Sequence, residues 1–158
     1  MTPVPLHVVL VTPEIPLNTG SVGRLCVCND LPLHLIKPLG FSLEERRVRR
    51  AGLDYWKYLD LRLHESWDDF LEKENPKKIF FSSSKGKRPY WDYSFCEGDY
   101  LIFGSETHGL PPDCYKKYSD LLYHIPMGGT HARTLNLANS VSIVVYEAFR
   151  QMDFQKKG

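Results

Sequence analysis

Short apolar runs rich in β-branched and aromatic residues alternate along the chain with segments of helical period. That pattern marks an α/β sheet assembled largely from crossover units. The predicted strands are LHVVLVT (6–12), LHLIK (33–37), KKIFFSS (77–83), DYLIFGS (99–105) and LLYHIP (121–126), with a shorter one at LRLHE (61–65). SWDDFLEKE (66–74) is predicted as a helix capped by Ser66, with acidic residues in the first turn, where the helix dipole favours them. Asn75 and Pro76 stop it. The segment TLNLANSVSIVVYEAFRQM (134–152) places Leu137, Val141, Val144, Ala148 and Met152 on one helical face, widened by Val145 and Phe149. Asn136 and Ser140 form a separate polar line. SKGKRPYWDYSFCEG (84–98) is the least regular stretch, a long loop for so short a chain.

Three loops that follow strands carry unusual composition, and ligands of open α/β sheets sit beyond the carboxyl ends of strands. PEIPLNTGSVGRLC (13–26) leads into a helix that Asn18 or Thr19 can cap, with Arg24 further in. GSETHGLPPD (104–113) sets Glu106 between Gly104 and Gly109. IPMGGTHARTLN (125–136) opens the last helix, with Thr134 as its possible cap, and its amides could cradle an anion or a polar ligand. Each segment also has a plainer reading: a strand-to-helix loop with a surface arginine, a left-handed turn with a solvated Glu106, and a flexible connection with Thr134 as cap. The second loop lacks the lysine of a P-loop, and no strand is followed by GxGxxG, which argues against ATP and against a Rossmann dinucleotide site.

The 158 residues fit a single domain spanning 1–158. Twenty Lys and Arg against nineteen Asp and Glu leave a formal charge of +1, so any polyanion site is a local patch and not a basic coat. Such a patch is offered by ERRVRR (45–50), with Arg46, Arg47, Arg49 and Arg50, and by Lys85, Lys87 and Arg88. Tyr55, Trp56, Tyr90 and Trp91 lie beside these tracts, as stacking on unpaired bases would need, although core positions fit them equally. Cys26, Cys28, Cys96 and Cys114 show no CxxC pairing and read as reduced thiols. His108, Cys114, His124 and His131 have no metal-ligand spacing, so no metal is expected. A G-x-S-x-G elbow is absent. The amino-terminal apolar run is too short for a bilayer and lacks the features of a signal peptide, so a cytoplasmic protein without membrane association is expected.

The order PEIPLNTGSVGRLC, LHLIKPLGF with RRAGLDYW, LIFGSETHGLP, then IPM followed by TLNLANSVSIVVYEAFRQ resembles the SPOUT-class ribose methyltransferases over residues 6–152. Within that class it is most similar to the small tRNA wobble-position (cytidine/uridine-34) 2'-O-methyltransferases. The resemblance implies a mostly parallel sheet with flanking helices and a deep C-terminal trefoil knot, one of the rare exceptions to unknotted topology. It also implies a homodimer, S-adenosyl-L-methionine as methyl donor, and the anticodon stem-loop of tRNA as substrate. Carried onto this sequence, cofactor contacts fall on Ser82, Gly104, Ile125 and Thr134, with Met127 and Leu135 as neighbours. The catalytic positions fall on Arg24, Glu106 and Asn136, and Asn18 matches as well, taken here with the RNA-binding residues. Ser21 and Gly23 stand where the family more usually has an asparagine and a bulky aliphatic residue.

Methyl transfer to a ribose hydroxyl needs alignment, exclusion of water and removal of one proton. A guanidinium is essentially never deprotonated, so Arg24 is expected to grip the target phosphate and stabilise the alkoxide, with a phosphate oxygen or water taking the proton. Glu106 and Asn136 would orient it, and Arg24 could act in its own subunit or in its neighbour's. Competing readings are a ribose methyltransferase for ribosomal RNA or another tRNA position, a non-catalytic RNA-binding relative, and a flavodoxin-like nucleotide binder.

Overall fold

The computed structural model describes residues 4–44 and 53–152. Among the described residues seven strands form one sheet: β1 (Leu6–Val11), β2 (Leu33–Ile36), β3 (Leu61–His64), β4 (Ile79–Ser82), β5 (Arg88–Pro89), β6 (Asp99–Phe103) and β7 (Leu122–His124). Their order is β3-β2-β1-β6-β4-β7-β5, and every pairing is parallel. β1 and β6 are buried at every position, which explains their nearly unbroken apolar sequences: both faces of a central parallel strand are covered.

Alternation sorts the side chains into two cores. On one face Leu6, Val8, Leu10, Leu33, Leu35, Leu101 and Phe103 meet α1 (Pro16–Cys28) and the carboxyl-terminal helix, which is α4 (Leu137–Gln151) among the described residues. On the other, Val9, Val11, Ile36, Phe81 and Ile102 meet Phe70 of α2 (Trp67–Glu74) and Cys114 of α3 (Pro112–Lys117). The apolar stripe of α4 is buried as its period predicts, through Leu137, Val141, Val144, Val145, Ala148 and Phe149, with Met152 half-buried beside it. Ser66 caps α2 by accepting from the Asp69 amide at 3.0 Å, and Asn75 ends it in a left-handed conformation.

Several boundaries differ from the expectation. Helix α1 starts at Pro16 after Ile15, so neither Asn18 nor Thr19 is its cap. Helix α4 starts at Leu137 with Asn136 as its cap, which displaces Thr134 from that role. The loop at 84–98 contains the short β5 and a 3-10 turn at Tyr90–Asp92. Helix α3 and the 3-10 segment Leu53–Tyr58 carry too few periodic positions to stand out in the sequence. Gly23 has a local reason: a Cβ there would lie 3.2 Å from the Trp56 indole, which packs against α1. The four cysteines are free thiols. No helix among the described residues is long and apolar enough to cross a membrane.

Strand order reverses between β1 and β6, the switch point at which open α/β sheets form ligand crevices. On the far side β7 lies between β4 and β5, so the 83–87 connection has to cross the chain end of β7. Gly86 makes that crossing possible, because a Cβ there would stand 2.5 Å from the Tyr123 carbonyl carbon. Ser83 N–H donates to Tyr123 O at 2.9 Å, and His124 Nδ1 donates to Gly86 O at 2.9 Å.

Candidate cofactor cleft and its clasp

A cleft of about 520 Å³ opens at the carboxyl ends of β4, β6 and β7. Ser82 enters it from β4, Gly104 from the end of β6, and Ile125, Met127, Thr134 and Leu135 from the segment joining β7 to α4. These are the six positions nominated for the cofactor, and all of them line one cavity. Glu106, Asn136 and Asn18 line it too.

The wall after β6 is a tight turn. Ser105 and Gly109 exchange backbone hydrogen bonds of 2.9 and 3.0 Å, and Gly109 has φ +70. A Cβ on Gly104 would lie 2.2 Å from the Gly109 carbonyl carbon, so only glycine lets the turn fold back onto the strand. The Leu110 amide donates to the Tyr115 hydroxyl at 3.0 Å, tying the turn to α3.

Glu106 does not face Arg24. Its carboxylate accepts from the backbone amides of Glu14 and Ile15, both at 2.8 Å, and from Asn18 Nδ2 at 3.2 Å. It therefore supplies the cap that α1 lacks from its own side chains, in the place where a carboxylate suits the helix dipole. Asn18 Oδ1 in turn accepts from Asn136 Nδ2 at 2.9 Å, and Asn136 Oδ1 accepts from the Asn139 amide at 3.2 Å. One relay thus links the starts of α1 and α4 to the turn after β6. Asn18 is 7% exposed and has both amide atoms engaged in this relay, which gives it a place in the cleft wall.

A second link runs the other way. Glu14 accepts from the Thr107 hydroxyl at 2.6 Å and from its amide at 3.2 Å. The Thr107 hydrogen bond holds the Glu14 carboxyl below the usual carboxylate range. Glu14 and Glu106 together clasp the two loops that flank the switch point.

Arg24 stands apart. It is exposed, its guanidinium lies 5.0 Å from the Tyr55 ring centroid, and it does not line the cleft of its own chain. Lys85 is at the cleft, with Nζ 4.2 Å from the Tyr115 ring centroid. Arg88 donates to the Tyr123 hydroxyl at 2.7 Å. Arg46, Arg47, Arg49 and Arg50 lie outside the described residues. Of the aromatic residues beside the basic tracts, Tyr55 and Trp91 are exposed, whereas Trp56 is half-buried against α1 and Tyr90 packs against the core. Leu137 of the α4 stripe also lines the cleft, as do Ile15, Phe103, Leu110 and Tyr115. Their apolar or aromatic character is shared with the core, so only the loop positions at strand ends could have marked them.

The cleft suits S-adenosyl-L-methionine. Its volume lies in the range of small-molecule sites, and its lining combines apolar Ile125, Met127, Leu135 and Phe103 with polar Ser82 and Asn136.

Comparison with known proteins agrees. Residues 5–146 match the SpoU rRNA Methylase family. The tRNA (cytidine(34)-2'-O)-methyltransferase of Burkholderia cenocepacia (strain HI2424) is 45% identical over 152 residues, covering 94% of this chain and 97% of its own. The protein of that name from Escherichia coli (strain K12) is 43% identical over 150 residues, covering 94% and 95%. Among solved structures, one described as giving insights into the 2-OH methylation of C/U34 on tRNA superposes with a TM-score of 0.87 at 45% identity, covering 94% of this chain and 96% of its own. An AdoMet-bound rRNA methyltransferase from Sinorhizobium meliloti shares the fold, with a TM-score of 0.82 at 21% identity, covering 94% and 60%. With matched sequence running through nearly every described element and the loops converging on one cleft, the chain belongs to the SpoU methylase family.

Proposed function

We propose that this protein transfers a methyl group from S-adenosyl-L-methionine to the ribose 2'-hydroxyl of the tRNA wobble nucleotide, cytidine or uridine 34, and that it does so as a homodimer in the cytoplasm. The observation that carries this reading is the convergence of Ser82, Gly104, Ile125, Met127, Thr134 and Leu135 on one cleft, walled by the Glu106–Asn18–Asn136 relay. The identity to relatives named for that reaction supports the substrate.

When bound, the cofactor supplies an electrophilic methyl group on a sulfonium. The chain's own contribution is to bind, align and exclude water. Ile125, Met127 and Leu135 give the cleft an apolar wall, and Gly104 lets the turn after β6 close against it. Glu106 and Asn136 act here as positioning residues, because their hydrogen bonds fix the helix starts that frame the cleft. Arg24 keeps its charge throughout. It binds the target phosphate and stabilises the alkoxide that forms as a phosphate oxygen or water accepts the 2'-hydroxyl proton.

The position of Arg24 outside its own cleft supports a site shared between subunits, with Arg24 of one copy serving the cleft of the other. Exposed apolar side chains on the helices near the cleft, Leu17 on α1 and Tyr146 on α4, support pairing on that side. The insertion of β7 between β4 and β5 supports threading of the carboxyl-terminal segment beneath the 83–87 connection, as a trefoil knot requires.

The test is Arg24→Ala. Methylation is expected to be lost, while calorimetric affinity for the cofactor stays within about threefold. Retained turnover would overturn the role of Arg24, and a cofactor affinity that collapses would place Arg24 in the cofactor site instead.

A further inference from the structure

Strand alternation brings an unusual set of polar side chains to the sheet face covered by α2. His7 of β1, His34 of β2 and His64 of β3 share that face with Tyr100 of β6, where Val9, Val11, Ile36 and Ile102 are their apolar neighbours. His7 Nδ1 and His34 Nε2 are 2.9 Å apart, and His34 Nδ1 and His64 Nε2 are also 2.9 Å apart. Glu74, at the end of α2, places Oε1 3.9 Å from His34 Nε2. Donor atoms of His7, His34 and Glu74 all fall within 4.8 Å of one another.

We propose that His7, His34 and Glu74 form a binding site for one divalent transition-metal ion of the zinc(II) class. Metal–nitrogen and metal–oxygen bonds of about 2.0–2.2 Å in a tetrahedron put neighbouring donor atoms about 3.3 Å apart. The His7–His34 and His34–Glu74 separations of 2.9 and 3.9 Å bracket that value and the His7–Glu74 pair lies within 4.8 Å, so side-chain shifts admit the ion. Two imidazoles and a carboxylate are the donor types that zinc accepts.

The surroundings fit a ligand shell. His34 presents its second ring nitrogen to His64, the outer contact that fixes the orientation of a ligating imidazole. The Tyr100 hydroxyl donates to Glu74 Oε1 at 2.8 Å, and Tyr100 also stacks on His7 with ring centroids 3.9 Å apart. Arg62 Nη1 reaches Glu74 at 3.3 Å, but it also pairs with Asp60 at 3.0 Å, so it keeps a carboxylate partner when Glu74 turns to an ion. The hydrogen bond between His7 and His34 puts a proton on one of the two facing nitrogens; the tautomers with N–H at His7 Nε2 and at His34 Nδ1, the latter donating to His64 Nε2, free both facing lone pairs for a cation.

These residues sit near the amino ends of β1, β2 and β6, whereas the cofactor cleft lies at the carboxyl ends of β4, β6 and β7. The ion would pin the end of α2 to the sheet and take no part in methyl transfer. The sequence concealed the set because its members come from three separate elements, with no motif spacing among them.

The experiment uses untagged protein stripped of metal with a chelator, then titrated with Co(II) by absorbance and with Zn(II) by calorimetry and thermal denaturation. One ion per chain, a ligand-field spectrum typical of four-coordinate Co(II), and a higher Tm with Zn(II) are expected. His7→Gln and Glu74→Gln should each weaken binding by at least about tenfold. The Glu74→Gln amide oxygen still accepts from Tyr100, and circular dichroism verifies folding; if His7→Gln fails to fold, Glu74→Gln alone decides. A Cys28→Ser/Cys96→Ser double variant and His131→Ala should bind like the parent. Absence of stoichiometric binding at about 100 µM free ion, loss of binding in the cysteine or His131 variants, or affinity unmoved by Glu74→Gln would overturn the assignment.

Discussion

Replacing Glu106 with alanine tests the clasp most sharply, because one side chain satisfies three donors across the switch point. Two are backbone amides at the start of α1, each 2.8 Å from a carboxylate oxygen, and the third is Asn18 Nδ2 at 3.2 Å. Hydrogen bonds to a charged partner contribute about 1.5–3 kcal/mol each, but Ile15 is 41% exposed and water can replace the carboxylate at its amide. A net loss of about 2–3 kcal/mol is therefore expected, most of it from the Glu14 and Asn18 contacts. For a chain of this length that corresponds to a Tm lower by roughly 4–12 °C. Glu106→Gln should fall between, since its amide oxygen can still accept while its NH₂ group faces a backbone N–H. Freed from Glu106, Asn18 no longer holds Asn136 in register, so cofactor affinity should fall together with Tm. Calorimetric unfolding and titration of the cofactor read both. A Tm within about 1 °C of the parent, with unchanged affinity, would refute the clasp as a support of the cleft.

Gly104→Ala puts a methyl group 2.2 Å from the Gly109 carbonyl carbon and 2.4 Å from the Leu110 nitrogen, both backbone atoms, so the turn has to open. A loss of at least about 3 kcal/mol and of measurable cofactor binding is expected from thermal unfolding and calorimetry. The depressed pKa of Glu14 arises from its Thr107 hydrogen bond, so its stabilising contribution is present above the ordinary value of 4.5 and is lost as pH falls through the lower folded value. The protection factor of the Thr107 amide, its exchange rate referred to the intrinsic rate at each pH, should therefore fall on acidification below that ordinary value; protection that stays flat down to acid unfolding would contradict the link. Lys85→Glu combined with Arg88→Glu should weaken tRNA binding and flatten its salt dependence, and an unchanged salt slope would remove this patch from the RNA surface.

Much of this architecture could be read before the structure. β1 and β6 announce themselves through unbroken apolar runs, because a central parallel strand is covered on both sides. Helix α4 is legible in its 3.6-residue stripe. The positions proposed for the cofactor rest on the resemblance of the loops and not on any periodic signal, and they line one cleft. What stayed hidden depends on long-range partners. Glu106 serves as the cap of a helix some ninety residues away, at Ile15, so a local search at Asn18 and Thr19 could not find it. The stacking of Arg24 on Tyr55 and the packing of Trp56 against Gly23 likewise join separate elements. Short helices such as α3 have too few turns for a pattern. The histidines of the sheet look in sequence like scattered polar interruptions, and only the register of β1, β2 and β3 sets them side by side.

The most direct measurement is mass-spectrometric mapping of ribose-methylated nucleosides in unmodified tRNA after incubation with the purified protein and S-adenosyl-L-methionine. The account predicts a single new 2'-O-methyl group at nucleotide 34, on cytidine or uridine, that is absent when the Arg24→Ala variant is used. Methylation confined to another position or to ribosomal RNA, or none at all despite saturating cofactor, would contradict it.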